Sequence, residues 1–344
     1  MNNEKFYQKT DELVKKVISE MKDGKRSTGI EFSDDIQNGK TTIKEMIGTS
    51  DGAEEFVQKV TYSAYQGREG EPLLYQPIYQ TKIDSNFPET LIENEFGPVN
   101  VVFLEKLEGG EVKFGELGAG QKKTISFVTW AAGVEYSEDI IEYNKTWDIN
   151  DIAVEFGEKY NKLLNWLHLS PIIGGTYTTT GGGIPAQLAA QNLGTAQEIA
   201  FNTDVETTLR DAISVLPKGT IVLANSADQF LLEDAIFGSL YADLKTPTAV
   251  QRQIKPSNII YYDGDAFSVG EEDYTYPGVT AGEIYLITPD KKNFVEYIKH
   301  DLRVEAGDGD LSRLIVTQVV GRARRAQLVS LGTKYGAVKV HITT

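Results

Sequence analysis

The chain has 344 residues, with 50 acidic against 34 basic side chains, a formal net charge of −16, and 40% hydrophobic residues. That is core-forming material for about two domains, which excludes wholesale disorder, and the charge runs opposite to that of a dedicated nucleic-acid binder, which needs Lys and Arg to neutralise phosphate. Cysteine is absent, so disulfides, thiolate nucleophiles and cysteine-held metals are excluded and a reducing cytosol is permitted.

The opening residues, MNNEKFYQKTDELVKK, contain no apolar h-region, so no secretory signal is expected. No apolar run reaches the length of a membrane span. Residues 4–22 place Phe6, Leu13, Val17 and Met21 near helical spacing, with Val14 and Ile18 widening the stripe, which predicts an amphipathic helix. The polar, Gly-punctuated residues 24–40 follow, so this helix reads as an arm outside the main body. A second helix is expected over 51–66, with Phe56, Val57, Val60 and Ala64 on one side; Gly67, Gly70, Pro72 and Pro77 should end it. Residues 99–107, VNVVFLEKL, read as a strand. In VKFGELGAGQKKTISF, residues 112–127, two short strand-like runs, Val112–Phe114 and Thr124–Phe127, flank Gly115, Gly118 and Gly120. The pattern predicts a hairpin. It has no core of its own, and an isolated two-stranded hairpin is marginal in water, so another copy of the chain is expected to supply the missing contacts. Residues 126–140 return from it.

From Asp148 onward Ile149, Ile152, Ala153, Phe156, Tyr160, Leu163, Leu164 and Leu167 keep helical spacing, with Asp148 or Asn150 as N-cap and with Pro171 and Gly174-Gly175 as the stop. Such a helix runs roughly 30 Å. Residues 174–183, GGTYTTTGGG, read as a flexible low-complexity loop. Residues 204–217 read as a helix, 219–230 as a strand and turn, and a further helix starts near Asp228. Residues 258–267, 282–289 and 294–306 read as strands and turns, which gives a mixed domain over about 195–300. Leu314–Val320 and Ala337–Ile342 are expected strands.

The chemistry is sparse. The triple glycine at Gly181 lacks a following Lys-Ser/Thr, so it reads as loop rather than phosphate cradle. Ser226 follows a strand, where nucleophiles can sit, but with Asn225 and Asp228 it reads as helix capping. His168, His300 and His341 fall in three different elements, without the i, i+4 pairing of a metal site. Asp308 and Asp310 read as a solvated turn, and Asp34-Asp35 and Glu271-Glu272 as surface charge. No catalytic, cofactor or metal residue is assigned. Arg322, Arg324 and Arg325 form the one concentrated basic patch. They could touch nucleic acid; pairing with carboxylates of a neighbouring subunit is the favoured expectation, because guanidinium forks match carboxylates. Lys122-Lys123 has the same choice between a solvated tip and a contact to another subunit.

The order of these elements resembles the major capsid protein of tailed bacteriophages, the Hong Kong 97-type fold. The residues that carry the resemblance are the N-terminal arm and EGGEVKFGELGAGQKKTISFVTWAAGVEYSEDIIEYN, which looks like the extended loop and its return strand. WDINDIAVEFGEKYNKLLNWL looks like the long spine helix, and GTIVLANSADQFLLEDAI is similar to a strand-turn-helix of the axial domain. LIVTQVVGRARRAQLVSLGTKYGAVKVHI looks like the returning long strand and the closing short one. The resemblance implies an α+β fold with an N-terminal arm at 1–45, a peripheral domain beginning at 46–108 and an extended β-hairpin loop at 109–128. It implies peripheral residues 129–194 with the spine helix at about 148–169, an axial domain at 195–305, a return strand at 306–332 and an axial strand at 333–344. It implies a non-enzymatic protein of the virion, assembled in the bacterial cytoplasm, that forms hexamers and pentamers around double-stranded DNA without sequence-specific binding and without a membrane. Lys113, Glu116, Lys122, Lys123, Arg322, Arg324 and Arg325 are the expected inter-subunit contacts. Some family members crosslink a loop Lys to a distant Asn; the segment after Arg303 contains no Asn, so no such crosslink is expected. About 40 residues precede the body, too few for the long cleaved scaffolding segment of some members, so a separate scaffolding protein is expected, together with a portal protein and an optional cement protein. An encapsulin-type shell around an enzyme cargo, a cytosolic α/β enzyme with an unrecognised site and a tail-tube component are the alternatives.

Overall fold

The computed structural model describes residues 50–95, 121–143, 146–180, 184–189, 196–200, 219–237, 258–269, 271–289, 293–308, 315–332 and 336–341, with Ile43, Leu209, Ala212, Ile213 and Leu216 besides. The expected helix of residues 4–22, the strand of 99–107, Val112–Phe114 and the triple glycine lie outside them.

Helix α1 (Ser50–Gly70) leads to strands β1 (Gln80–Ile83), β2 (Thr90–Glu95), β3 (Gln121–Ser126) and β4 (Val128–Ser137). A short helix α2 (Glu138–Glu142) then precedes the long α3 (Thr146–Ile173). After β5 (Tyr177–Thr178), α4 (Ile184–Ala189) and β6 (Ala196–Ala200) come β7 (Ile221–Ala224), a 3-10 turn and α5 (Gln229–Phe237). Strands β8 (Asn258–Tyr261), β9 (Gly264–Val269), β10 (Glu272–Pro277) and β11 (Glu283–Ile287) precede the two long strands β12 (Phe294–Asp308) and β13 (Ile315–Val329), and β14 (Ala337–His341) follows.

The apolar spacing of α1 does what it predicts: Phe56, Val57, Val60 and Ala64 are all buried. The helix nevertheless runs through Gly67, which was expected to help end it. The reason lies across the contact with α3. A Cβ on Gly67 would meet the Val154 carbonyl oxygen at 1.9 Å, and a Cβ on Gly157 would meet the Ala64 carbonyl oxygen at 1.8 Å. The two helices cross with their backbones touching, so these glycines are packing residues and not breakers. Two asparagines of α3, one turn apart and both buried, then fix the chain where it leaves α1. Asn161 Nδ2 donates to the Arg68 and Glu71 carbonyls at 2.6 and 2.8 Å. Asn165 donates to the Pro72 carbonyl at 2.9 Å and accepts from the Leu74 N–H at 2.8 Å.

Helix α3 has 28 residues, or about 42 Å at the usual rise. It begins before both expected N-caps. Asp148 falls in its first turn, where a carboxylate faces the positive end of the helix, and Asn150 accepts a hydrogen bond from Ser63 Oγ at 2.6 Å. Pro171 lies inside the helix rather than stopping it, because in the last turn a missing N–H removes only one ladder bond. The helix ends before Gly174, whose N–H closes on the Ser170 carbonyl at 2.8 Å.

Two larger sheets hold ten of the described strands, and β2–β3 and β9–β10 form two-stranded ones. The four-stranded sheet has the order β1-β12-β13-β4. In it the strand of residues 294–308 pairs with β13, from Phe294↔Val329 to Asp308↔Thr317. The second sheet has six strands in the order β5-β6-β14-β11-β7-β8. Tyr177–Thr178, inside the expected flexible loop, is its edge strand and pairs parallel with β6; Tyr177 is tied back to α3 by its hydroxyl, 2.7 Å from the Ile172 carbonyl. Between 204 and 217 the described Leu209, Ala212 and Ile213 are helical and buried, packed with Val222, Leu286 and Val338 of this sheet. The β9–β10 hairpin leans on α3, held by Lys162 to Asp265 at 2.7 Å and by Trp166 stacked on Tyr276 at 4.9 Å.

Candidate functional site: a buried charge network and an exposed ribbon

Strand alternation decides what the three arginines of β13 do. Gly321, Ala323 and Arg325 point towards α3, and Arg322 and Arg324 point to the opposite face of the sheet. The burial follows: Gly321 admits the Phe156 ring, which a Cβ would meet at 2.4 Å, Ala323 and Arg325 are buried, and Arg322 is exposed. Within the chain each of the three also has a carboxylate partner. Arg322 pairs with Glu305 and Arg324 with Glu89. Arg325, whose side chain is 3% exposed, forks between Glu296 and Asp301 and donates from Nε to the Tyr160 hydroxyl at 3.0 Å.

Around Arg325 the network joins five elements, α1, β1, α3, β12 and β13. Asp301 also receives Arg68 of α1 at 3.4 Å and the Tyr160 hydroxyl at 3.3 Å. Glu296 accepts from the Tyr75 hydroxyl at 3.3 Å and from Thr81 at 3.2 Å, and His168 Nε2 lies 3.1 Å from its Oε1. Burial alone would push the Glu296 carboxyl up. The hydrogen bond and charge of His168, with the charge of Arg325, outweigh it and bring it down to about 2. Burial likewise works against the Asp301 carboxylate, and the guanidinium groups of Arg325 and Arg68 hold it below the ordinary range. The Tyr75 hydroxyl is driven the other way, raised by burial and by the Glu296 charge. The charges of Arg68, Arg325, Glu296 and Asp301 answer one another inside the chain. The network's effect is to lock α1, β1, α3, β12 and β13 together.

The opposite face of the same sheet carries a ribbon. β3 was expected to pair with Val112–Phe114. Its described partner is β2, in the register Leu91↔Ile125, Ile92↔Thr124 and Glu93↔Lys123. The described part of the ribbon thus joins Thr90–Glu95 to Gln121–Ser126. Its inner face stands on an aromatic foot: Ile125 and Phe127 pack with Val295, Tyr297, Ala326 and Leu328, flanked by Phe87 and Leu91. Phe87 stacks on Phe127 at 5.7 Å and meets Tyr297 edge-on at 5.6 Å. Tyr297 donates to Glu93 at 2.9 Å, and Lys123 reaches the Val329 carbonyl. The outer face presents Ile92, 65% exposed, with Lys122 also exposed. Lys113 and Glu116 lie outside the described residues.

The remaining candidates resolve simply. Asn225 accepts from the Ala227 N–H at 2.9 Å and Asp228 from the Gly282 N–H at 2.8 Å, so the Ser226 turn is capping structure. His168, His300 and His341 lie in α3, β12 and β14. Asp308 ends β12, and Asp310 lies outside the described residues. Among the described residues no three His, Cys, Asp or Glu side chains group as metal ligands, and no helix is long and apolar enough to cross a membrane. A groove of about 460 Å³ runs along the outer edge of β4, between Trp130–Ala132, Phe156 of α3 and Phe267 of β9. The sequence reading missed the carboxylates Glu296 and Asp301 and the asparagines of α3; each is a polar residue at a core-facing position, which alternation or helical spacing marks once the element is known.

No protein-family model and no curated protein matches the sequence. Among solved structures the chain is similar to the virus-like particle protein from Pyrococcus furiosus, over 83% of this chain and 98% of that one, at 12% identity and a TM-score of 0.46. It is similar to a chain from Mycobacterium phage Bobi, over 80% of this chain and 91% of that one, at 12% identity and a TM-score of 0.47. It is also similar to the mature capsid chain of bacteriophage PhiM1, over 78% of this chain and 87% of that one, at 12% identity and a TM-score of 0.47.

Proposed function

We propose that this chain is a structural shell protein of the tailed-bacteriophage major capsid class, whose copies associate into hexamers and pentamers and close an icosahedral shell around double-stranded DNA. The observation that carries the reading is the β2–β3 ribbon, which has an apolar foot on its own sheet and an outer face that leaves Ile92 65% exposed. Two strands alone are marginal in water, and a neighbouring copy laid on that face would supply the missing contacts. The sequence resemblance supports the same reading, and so does the order of ribbon, long helix, six-stranded sheet, paired long strands and closing strand. In this reading Lys122, with Arg322 and Arg324 at the outer face of the sheet, contacts the neighbouring copy, as do Lys113 and Glu116. Arg325 and Lys123 serve their own chain. The six-stranded sheet belongs to the axial domain, and the four-stranded sheet with α1 and α3 to the peripheral one. A separate scaffolding protein guides assembly, a portal occupies one vertex, a cement protein can bind outside, and the acidic surface tolerates DNA without gripping it.

Negative-stain electron microscopy with sedimentation velocity tests this on the purified full chain, alone and with scaffold supplied. Closed shells, or rings of five or six, are the expected result. A uniform monomer or dimer in both conditions overturns it. DNA inside native particles separates the viral shell from an encapsulin-type one, which would hold a protein cargo.

A further inference from the structure

Strand β4 closes one end of the four-stranded sheet, and among the described residues its outer edge has no partner strand over ten residues. Such an edge invites another chain unless a helix, a loop or charge covers it. Beside it runs the groove of about 460 Å³, walled by Trp130, Ala132, Val134, Ile152, Phe156 and Phe267. Ala132 is exposed, and Val269 at the hairpin end of the groove is 66% exposed. The rim is acidic. Asp151 and Glu155 stand exposed on the α3 side, one turn apart, and Glu272 and Asp273 pair with Val269 and Ser268 in the β9–β10 hairpin. Lys159, 3.8 Å from Glu155, is the one cation among the lining residues.

The same chain holds a segment that fits. The first described residue, Ile43, is fully buried in the core against which Val134, Ile152 and Phe156 of the groove also pack. Residues 4–22, with helical spacing, stand ahead of it across a linker of about 20 residues. Such a linker spans roughly 25 Å when flexible and at most about 70 Å when extended, enough to reach a groove on the same domain. On a helix Leu13, Val14, Val17, Ile18 and Met21 share one apolar stripe, and Lys5, Lys9 and Lys16 fall together along one flank of it.

We propose that residues 4–22 dock as a helix in the β4 groove of their own chain, the apolar stripe against Trp130, Ile152 and Phe156 and the lysine flank towards the acidic rim. The short linker makes docking intramolecular, with an effective concentration in the millimolar range, so a chain fills its own groove before a neighbour does. The docked helix covers the outer edge of β4 and withdraws it from pairing with other chains. The arm expected to stand outside the body thus lies against it. This holds for a single chain, whether or not copies go on to associate.

The chain has no cysteine, so introduced pairs report without background. Ala132→Cys is combined in turn with Leu13→Cys, Val17→Cys and Met21→Cys in the full chain. Each is treated with a short bis-maleimide and run on a denaturing gel, which separates links within a chain from links between chains in any state of assembly. A monomer-sized product is expected from at least one pair, its digest joining the peptide of residue 132 to the N-terminal one. Val17→Cys with Glu233→Cys, exposed on α5, should stay unlinked. A mainly dimer-sized product, no link from any of the three pairs, or equal linking of the Glu233 pair overturns the proposal. Trypsin gives a second readout: Val17→Asp should speed cleavage after Lys15, Lys16 and Lys22 by about tenfold or more, the factor for one buried Val lost. An unchanged rate overturns the proposal as well.

Discussion

Replacing Glu296 by Gln keeps the shape of the side chain and an oxygen for Tyr75 and Thr81, and removes only the charge that answers Arg325. The magnitude follows from the carboxyl itself, which its surroundings bring down to about 2 from an ordinary 4.5. A difference of that size corresponds to about 3 kcal/mol of folding stability at neutral pH, in the range found when one partner of a buried pair is removed. Because the folded value is depressed, this stability is fully present above pH 4.5 and is lost as pH falls towards about 2. Urea unfolding of the full chain and of Glu296→Gln, each followed from neutral pH into acid, reads both predictions. The variant should be weaker by about 3 kcal/mol at pH 7, and the gap should close in acid as the native carboxylate takes up its proton. Equal stability at pH 7, or a gap that stays constant down to the lowest pH, would refute the reasoning that this carboxylate is held as an anion by the network.

Other perturbations address the packing and the ribbon. Gly157→Ala should destabilise by about 1–3 kcal/mol despite its better helix propensity, since the new methyl meets the Ala64 carbonyl; a midpoint at or above that of the unaltered chain in denaturant would contradict the backbone contact. Asn165→Ala leaves the Leu74 N–H and the Pro72 carbonyl without their partner and should cost about 2 kcal/mol by the same assay. Phe87→Ala removes a ring from the ribbon's foot, so limited proteolysis within residues 90–126 should accelerate; an unchanged cleavage rate would show that the foot does not hold the ribbon. Ile92→Asp should change folding stability by less than about 0.5 kcal/mol, as exposed substitutions do, yet abolish shell or ring formation in the microscope.

The elements that could be read from the sequence were those whose signal is local. The 3.6-residue spacing of Ile149, Ile152, Ala153 and Phe156 predicts α3 because one face of that helix is apolar over its whole length. Its ends were misjudged, because Pro171 and Asp148 were read by residue type rather than by their place in the turn. Gly67 was misread for the same reason: a glycine that breaks an isolated helix permits a crossing when another helix lies against it. Pairing over long distances was not legible. TLIENE, residues 90–95, has a mostly polar pattern, and nothing in it names Gln121–Ser126 as its partner. Nor does anything within residues 294–305 say which of two sheets they join, since either would accept so apolar a strand. The arginine patch shows the remaining gap. Three cations close in sequence read as one surface, but the period of two in a strand sends Arg325 inward and its neighbours outward. The small residues Gly321 and Ala323 at the same parity were the available clue.

Strand β14 enters the six-stranded sheet between β6 and β11, parallel to one and antiparallel to the other. Until residues 337–341 have left the ribosome, a growing chain holds two incomplete pieces of that sheet: β5 with β6, and β8, β7 and β11 in a row. Each piece ends in a strand edge that waits for the same five residues. Closing it is a non-local step of the slow kind, and until then both edges are open to pairing with another chain. The sheet is thus completed only after translation has passed the long strands β12 and β13. In the proposed shell, that timing separates folding from association, because the finished sheet is presented only once residues 337–341 have been made.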